Sequence, residues 1–155
     1  MTDICALLSP ERTRIAVDAR SRKRALELAA ELIAAGDPSL SASTVFENLM
    51  TRERLGSTGL GEGIAIPHCR VDGAKPAAAL LRLAAPVDFN SIDDAAVDLI
   101  FVLVVPTAET QAHLTTLAAL ARVFQDANNR SVLREQSSDR AFYDTFRTLV
   151  TANSA

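Results

Sequence analysis

The period of hydrophobic and polar positions changes several times along the chain, and each change marks an element. From Thr13 to Asp18 branched apolar and polar residues alternate, the period-2 signature of a short half-buried strand. Between Ser21 and Ala35 the apolar residues Ala25, Leu28, Ala29 and Leu32 recur at helical spacing, and Gly36 followed by Pro38 supplies the stop. A second amphipathic helix is predicted with Ser41 or Ser43 as its cap and Thr44 to Glu47 as a capping box. Its apolar face is Val45, Phe46, Leu49 and Met50, and it should end near Arg54.

Gly56 to Gly63 interrupts this regularity with four glycines in eight residues, which predicts a shaped loop rather than a helix or strand. Ile64-Ala65-Ile66 then reads as a short strand halted by Pro67, placing His68 where a strand leaves the sheet. Ala78 to Ala84 is another predicted strand. Val97 to Val105 is almost continuously apolar and rich in branched residues, as a central strand buried on both faces must be, and it stops at Pro106. A helix from about Glu109 to Phe124 carries His113, Leu117, Leu120 and Phe124 along one stripe, and Val132 onward offers one or two more. Strands interleaved with helices predict an α/β layered fold.

No repeat, linker or low-complexity segment divides the chain, so residues 1–155 read as a single domain, large enough to bury roughly two-thirds of its unfolded surface. With 48% apolar and 23% charged residues the composition is that of a soluble globular protein. The 16 Lys and Arg against 19 Asp and Glu give a net charge of −3, without the basic excess of a nucleic-acid-binding domain. Nucleic acid is therefore not an expected partner. The longest strongly apolar run, Leu99 to Val105, falls far short of the ~20 residues that cross a bilayer. No secretory signal is visible, and the two cysteines, Cys5 and Cys69, are too few for a disulfide framework. The expected address is the cytoplasm, with both thiols free.

Several phosphate and metal chemistries can be set aside on spacing. Gly56 and Gly61 have the glycine spacing of a P-loop, but Glu62 stands where the lysine is needed. The dinucleotide fingerprint fails because Ile64 and Ile66 occupy the slots of its third glycine. A cysteine-phosphatase loop would need Arg six positions after Cys69, where Lys75 stands. His68, Cys69, His113 and scattered carboxylates have no metal-ligand spacing. What survives is a histidine at a strand end, preceded by a loop whose glycines let backbone N–H groups crowd an anion and clear space for a partner. Imidazole is a competent phosphoryl acceptor near neutral pH. On residues alone, however, a single histidine after a proline is more often structural.

The run Arg52-Glu53-Arg54-Leu55-Gly56-Ser57-Thr58-Gly59, leading into Gly63-Ile64-Ala65-Ile66-Pro67-His68, resembles the active-site signature of mannitol/fructose-type enzyme IIA domains of the bacterial phosphotransferase system. The likeness extends over nearly the whole chain, including Val97-Asp98-Leu99-Ile100-Phe101 ahead of Pro106 and His113-Leu114 opening a late helix. It is nearest to the nitrogen-regulatory branch, through the Asp98 region, Phe89-Asn90-Ser91-Ile92-Asp93 and the stand-alone domain. The resemblance implies a mixed β-sheet flanked by helices, His68 as the phosphorylated residue, Arg52 in contact with the phosphoryl group, and His113 as the second active-site histidine. It also implies an HPr- or NPr-type phosphocarrier as donor, with transporters or sensor kinases as possible regulatory targets.

On that reading His68 attacks the phosphohistidine of a small carrier, an exchange between two imidazoles that requires no cofactor, nucleotide or metal. Arg52 suits phosphoryl oxygens through its planar fork, although it could also be a solvated charge in a charged run. His113, in the first turns of its helix, would have its protonation depressed by the macrodipole, or it could be a core histidine on the stripe with Leu117 and Leu120. Cys69 has no base or oxyanion-hole pattern beside it and reads as a bystander. Glu62 puts a negative charge six residues before the acceptor, which opposes a phosphoryl group unless it turns outward or pairs with a base. The docking surface should be shallow, with Leu60, Ile66 and residues of the His113 helix as its apolar rim.

Three functions follow: a regulatory protein switched by phosphorylation of His68, a sugar-specific IIA component that passes the group to a IIB domain, and a metal-dependent hydrolase using both histidines. The third predicts stoichiometric bound metal.

Overall fold

The computed structural model describes residues 3–108 and 110–153. A short helix α1 (Ile4–Leu7) and one 3₁₀ turn (Pro10–Arg12) lead into strand β1 (Thr13–Val17). Then come α2 (Arg22–Ala35), α3 (Ala42–Leu55), β2 (Gly59–Gly61), β3 (Ile64–Ala65), β4 (His68–Arg70), β5 (Ala77–Val87) and β6 (Val97–Val105). Helices α4 (Thr110–Gln125), α5 (Ala127–Glu135) and α6 (Asp139–Asn153) complete the order.

The six strands form one mixed sheet in the order β1-β5-β6-β3-β2, with β4 also paired to β6. β5 and β6 are antiparallel, whereas β1 runs parallel to β5, and β3 and β4 run parallel to β6. β3 and β4 thus lie end to end along one edge of β6, β3 opposite Leu99 and Ile100 and β4 opposite Leu103 to Val105. Pro67 separates them because it has no N–H to give the ladder, yet its carbonyl still accepts from Leu103 N–H at 2.9 Å.

β6 shows why the sheet must be covered twice. Its residues alternate between two cores: Ile100, Val102 and Val104 face α2 and α3, while Leu99, Phe101 and Leu103 face α4, α5 and α6. Phe101 stacks on Phe146 with ring centroids 5.5 Å apart. The expected two-sided central strand and the mixed sheet flanked by helices are both present.

Several boundaries differ from the sequence reading. β5 extends three residues beyond Ala84 to Val87. α5 starts at Ala127 instead of near Val132, because Asp126 caps it, accepting from Asn128 N–H at 2.8 Å and Asn129 N–H at 3.2 Å. Glu109, where the late helix was expected to begin, lies outside the described residues. α1 was not expected from the sequence. The larger correction concerns the glycine-rich segment, which forms β2 and a tight hairpin with β3 (Gly59↔Ala65, Gly61↔Ile64) instead of an irregular loop. His68 likewise opens a new strand, β4, and does not leave the sheet.

Candidate functional site around His68

α3 supplies the first wall of the site. Ser41 caps it, accepting from Thr44 N–H at 3.3 Å, and Val45 and Leu49 bury its inner face, so the last turn presents Arg52 toward the sheet edge where β4 begins. Arg52 Nε–H donates to His68 Nε2 at 3.2 Å, and Arg52 Nη1 donates to the Gly56 carbonyl at 2.8 Å. On the other side of the ring His68 Nδ1 lies 2.8 Å from the Ile66 carbonyl oxygen. A carbonyl can only accept, so Nδ1 carries the proton and Nε2 keeps the lone pair. Both contacts require the same tautomer.

His113, in the first turn of α4, lies with its ring centroid 5.1 Å from that of His68 and tilted by 55°. It is buried, and its Nδ1 makes no hydrogen bond among the described residues. Burial first, and then the positive charges of His68, Arg70 and Arg52, push its pKa down to about 4. The shift is in the direction expected from its position, and its chief cause is burial. His68 is also shifted down, mainly by burial and further by Arg52 and Arg70, with its bond to the Ile66 carbonyl opposing. Both imidazoles are neutral near pH 7, which preserves a nucleophilic lone pair.

Arg52, His68 and His113 line one open cleft of about 420 Å³, together with Leu55, Arg70 and Leu114. The three residues expected from the sequence are thus brought together. Arg70 was not expected, although the period of a strand gives it away: two residues after His68 on β4, it points to the same face. Cys69 points the opposite way, buried with Sγ 4.0 Å from the Val45 carbonyl, and burial pushes its pKa up to about 12. That thiol is no nucleophile near neutrality. Among the described residues no group of three or more His, Cys, Asp or Glu is placed to hold a metal ion.

The expected apolar rim is corrected. Leu60 is exposed but lines a second depression with Glu62, Phe124 and Arg130, and Ile66 is only 4% exposed. Of the expected rim the His113 helix does contribute, through Leu114, 53% exposed, and Leu55, 81% exposed, takes the place of Leu60 and Ile66 beside His68. The hairpin explains this: it carries Leu60 outward to the sheet's far edge, whereas β4 keeps His68 against β6. Glu62 goes with Leu60, its side chain 3.8 Å from Arg130, so it pairs with a base away from the acceptor.

Three N–H groups of the glycine-rich run are committed within the protein. Thr58 N–H reaches Glu53 Oε2 at 3.4 Å, Gly59 N–H reaches Ser57 Oγ at 3.0 Å, and Glu62 N–H reaches Asp93 Oδ2 at 2.9 Å. Gly59 and Gly63 serve close packing: a Cβ at Gly59 would collide with Ser91 Oγ, and one at Gly63, where φ is +81°, would sit 2.5 Å from an Arg134 nitrogen.

This sheet with its flanking helices has the fold of phosphotransferase-system IIA proteins. The crystal structure of the nitrogen regulatory protein IIA-Ntr from Neisseria meningitidis superposes with a TM-score of 0.85 at 39% identity, covering 95% of this chain and 98% of that one. The mannitol IIA of Escherichia coli, at 22% identity and a TM-score of 0.72 over 92% of this chain and 97% of that one, shares the fold. The chain belongs to the phosphoenolpyruvate-dependent sugar phosphotransferase system EIIA 2 family, whose model matches residues 6–148. Among its relatives, the nitrogen regulatory protein of Pseudomonas aeruginosa is 49% identical over 138 residues, spanning 88% of this chain and 90% of that protein. The Escherichia coli nitrogen regulatory protein is 42% identical over 142 residues, spanning 90% and 86%.

Proposed function

We propose that this protein is a cytoplasmic phosphocarrier that accepts a phosphoryl group on His68 Nε2 from an HPr- or NPr-type carrier, and that it acts mainly as a phosphorylation-dependent regulator. The observation that carries this reading is the pair of contacts on the His68 ring: Nδ1–H committed to the Ile66 carbonyl at 2.8 Å, and Nε2 open to the cleft with only Arg52 against it at 3.2 Å. The regulatory role is supported by relatives of Pseudomonas aeruginosa and Escherichia coli that are named nitrogen regulatory proteins.

In the transfer, the Nε2 lone pair attacks phosphorus in line with the carrier's N–P bond, forming one N–P bond as the other breaks. The carrier's imidazole leaves with its electron pair, and no proton has to move. Arg52 turns its fork from Nε2 to the incoming oxygens, and Arg70 adds a second positive charge on the same wall. Neutral His113 stands beside the acceptor, where it can donate to a phosphoryl oxygen without adding charge to His68. The added group brings about two negative charges to a cleft edged by exposed Leu55 and Leu114, which changes what that surface can bind. Regulatory targets, such as a transporter or a sensor kinase, would read that change.

The test is to incubate the protein with phosphoenolpyruvate, enzyme I and an HPr-type carrier and to locate the modified residue by mass spectrometry. Phosphate on His68 is expected. Phosphate elsewhere, or none, overturns the reading, and rapid onward transfer to a IIB domain would favour the sugar-specific role over the regulatory one.

A further inference from the structure

The two nitrogens of His68 are held from the same turn of α3. Arg52 addresses Nε2 directly at 3.2 Å. The next residue, Glu53, points the other way, into the protein, where its side chain is 1% exposed. A buried carboxylate is costly unless paired and hydrogen-bonded. Here Arg22 lies 3.6 Å away, the Thr58 hydroxyl donates to Oε1, and Thr58 N–H reaches Oε2 at 3.4 Å. The Thr58 carbonyl in turn accepts from Ile66 N–H at 3.1 Å, and the Ile66 carbonyl accepts from His68 Nδ1–H at 2.8 Å.

Ile66 is thus clamped on two sides. On its C-terminal side the next carbonyl, that of Pro67, accepts from Leu103 N–H on β6. On its N-terminal side the Ile66 N–H is held by the Thr58 carbonyl, and Thr58 is anchored by Glu53. If that anchor loosens, the Ile66 carbonyl can turn away from Nδ1, and the proton is then kept on Nδ1 only by the Arg52 N–H against Nε2, a hold that ends when Arg52 turns to the incoming phosphoryl oxygens. A proton on Nε2 would block the attacking lone pair.

Building on the phosphocarrier reading, we infer that Glu53 is a positioning residue which, through Thr58 and Ile66, fixes the His68 tautomer that leaves Nε2 free for phosphoryl transfer. Arg22 serves the same network by keeping the carboxylate paired. The signature run of the sequence therefore sets both faces of the acceptor ring: Arg52 on the reacting nitrogen, and Glu53 with Thr58 behind the protonated one.

The experiment compares wild type, Glu53→Gln, Thr58→Val and Thr58→Ser, with ring-nitrogen chemical shifts of unphosphorylated His68 read by NMR alongside phosphorylation kinetics and melting temperature. Wild type should be almost entirely the Nδ1–H tautomer. Glu53→Gln and Thr58→Val should lower that fraction and reduce kcat about three- to tenfold with KM for the carrier unchanged, the loss expected when one orienting hydrogen bond weakens. Thr58→Ser keeps the hydroxyl and should restore both readouts. A purely structural brace would lower the melting temperature without moving the His68 shifts, and wild-type shifts in a folded Glu53→Gln protein overturn the proposal. If Glu53→Gln does not fold, the Thr58→Val and Thr58→Ser pair decides by the same readouts. Wild type that takes no phosphate on His68 would overturn the phosphocarrier reading instead, and the shift comparison would still decide the role of Glu53.

Discussion

Two depressions of similar size, about 420 Å³ around His68 and about 450 Å³ around Leu60 and Glu62 of the hairpin, have their charges arranged in opposite ways. On the Glu62 side the charges are matched: Arg130 stands 3.8 Å from Glu62, and close by Arg134 binds Asp98 through two nitrogens at 2.9 and 3.1 Å. On the His68 side, Arg52 and Arg70 have no carboxylate partner among the described residues, and the only acidic neighbour on that turn, Glu53, is turned inward and committed to Arg22 and Thr58. Paired charges leave little net charge around Leu60 and Glu62. Unpaired positive charge around a neutral lone pair leaves the other depression ready for an anion that arrives and departs.

The sharpest way to break this comparison is to remove the acceptor. His68→Ala should abolish acid-labile phosphorylation while the two cores on either side of β6 keep the protein folded, and phosphorylation at the wild-type level would mean the charged cleft is not the reactive one. Next in size is Arg52→Ala, expected to slow transfer at least ~tenfold. A unit charge pair at 4 Å is worth about 4 kcal/mol at an effective dielectric of 20, and tenfold needs only ~1.4, so solvent screening leaves room for this loss. Single-turnover phosphorylation rates would show it, and wild-type kinetics would make Arg52 a bystander.

The same hairpin shows what the sequence could and could not disclose. Elements with a strong period were legible: Val97 to Val105 announced a strand buried on both faces, α2 followed from its apolar stripe and its Gly36 and Pro38 stop, and α3 from its stripe and serine cap. The family resemblance carried by the run around His68 and by His113-Leu114 implied Arg52, His68 and His113 as site residues, and they meet in one cleft although they come from α3, β4 and α4. The glycine run was misread, because glycines required by close neighbours look the same in sequence as glycines required by a flexible loop. Ser91 against Gly59 and Arg134 against Gly63 come from segments about 30 and 70 residues away, and no local pattern encodes them. Leu60 was misplaced for the same reason, since the hairpin that carries it to the other depression depends on β3 pairing with β6. Arg70 could have been found by counting two residues along the strand from His68.

That misplacement gives a third way to sharpen the contrast. Leu55→Asp adds a negative charge to the apolar rim beside His68, where a phosphorylated carrier must approach, and should raise KM for the carrier several-fold. Leu60→Asp, on the Glu62 face, should leave KM unchanged. Titrating an HPr-type carrier against both variants separates them, and a larger effect at Leu60 would place docking at the Glu62 depression instead of the cleft described here.

The smallest expected effect lies in the pH dependence of stability, and its sign follows from His113. Its folded pKa is pushed down to about 4 against an ordinary value of 6.5, so between those values the unfolded chain binds a proton that the folded chain refuses. Stability therefore rises with pH across that window and falls on acidification, with the loss complete below about 4 and absent above about 6.5. Burial shifts His68 in the same direction, so both histidines of the cleft contribute with the same sign. The lowered carboxyl groups of Asp37 and Asp93, held down by hydrogen bonds, also destabilise the fold in acid, but they are common to any variant that changes only the cleft. Replacing His113 with Leu removes one titrating group and keeps the site apolar, so the melting temperature of His113→Leu should decline less than that of wild type between pH 6.5 and pH 4. Parallel curves for the two proteins would show that His113 titrates normally, and the neutral pair at the centre of the cleft would then be reduced to His68 alone.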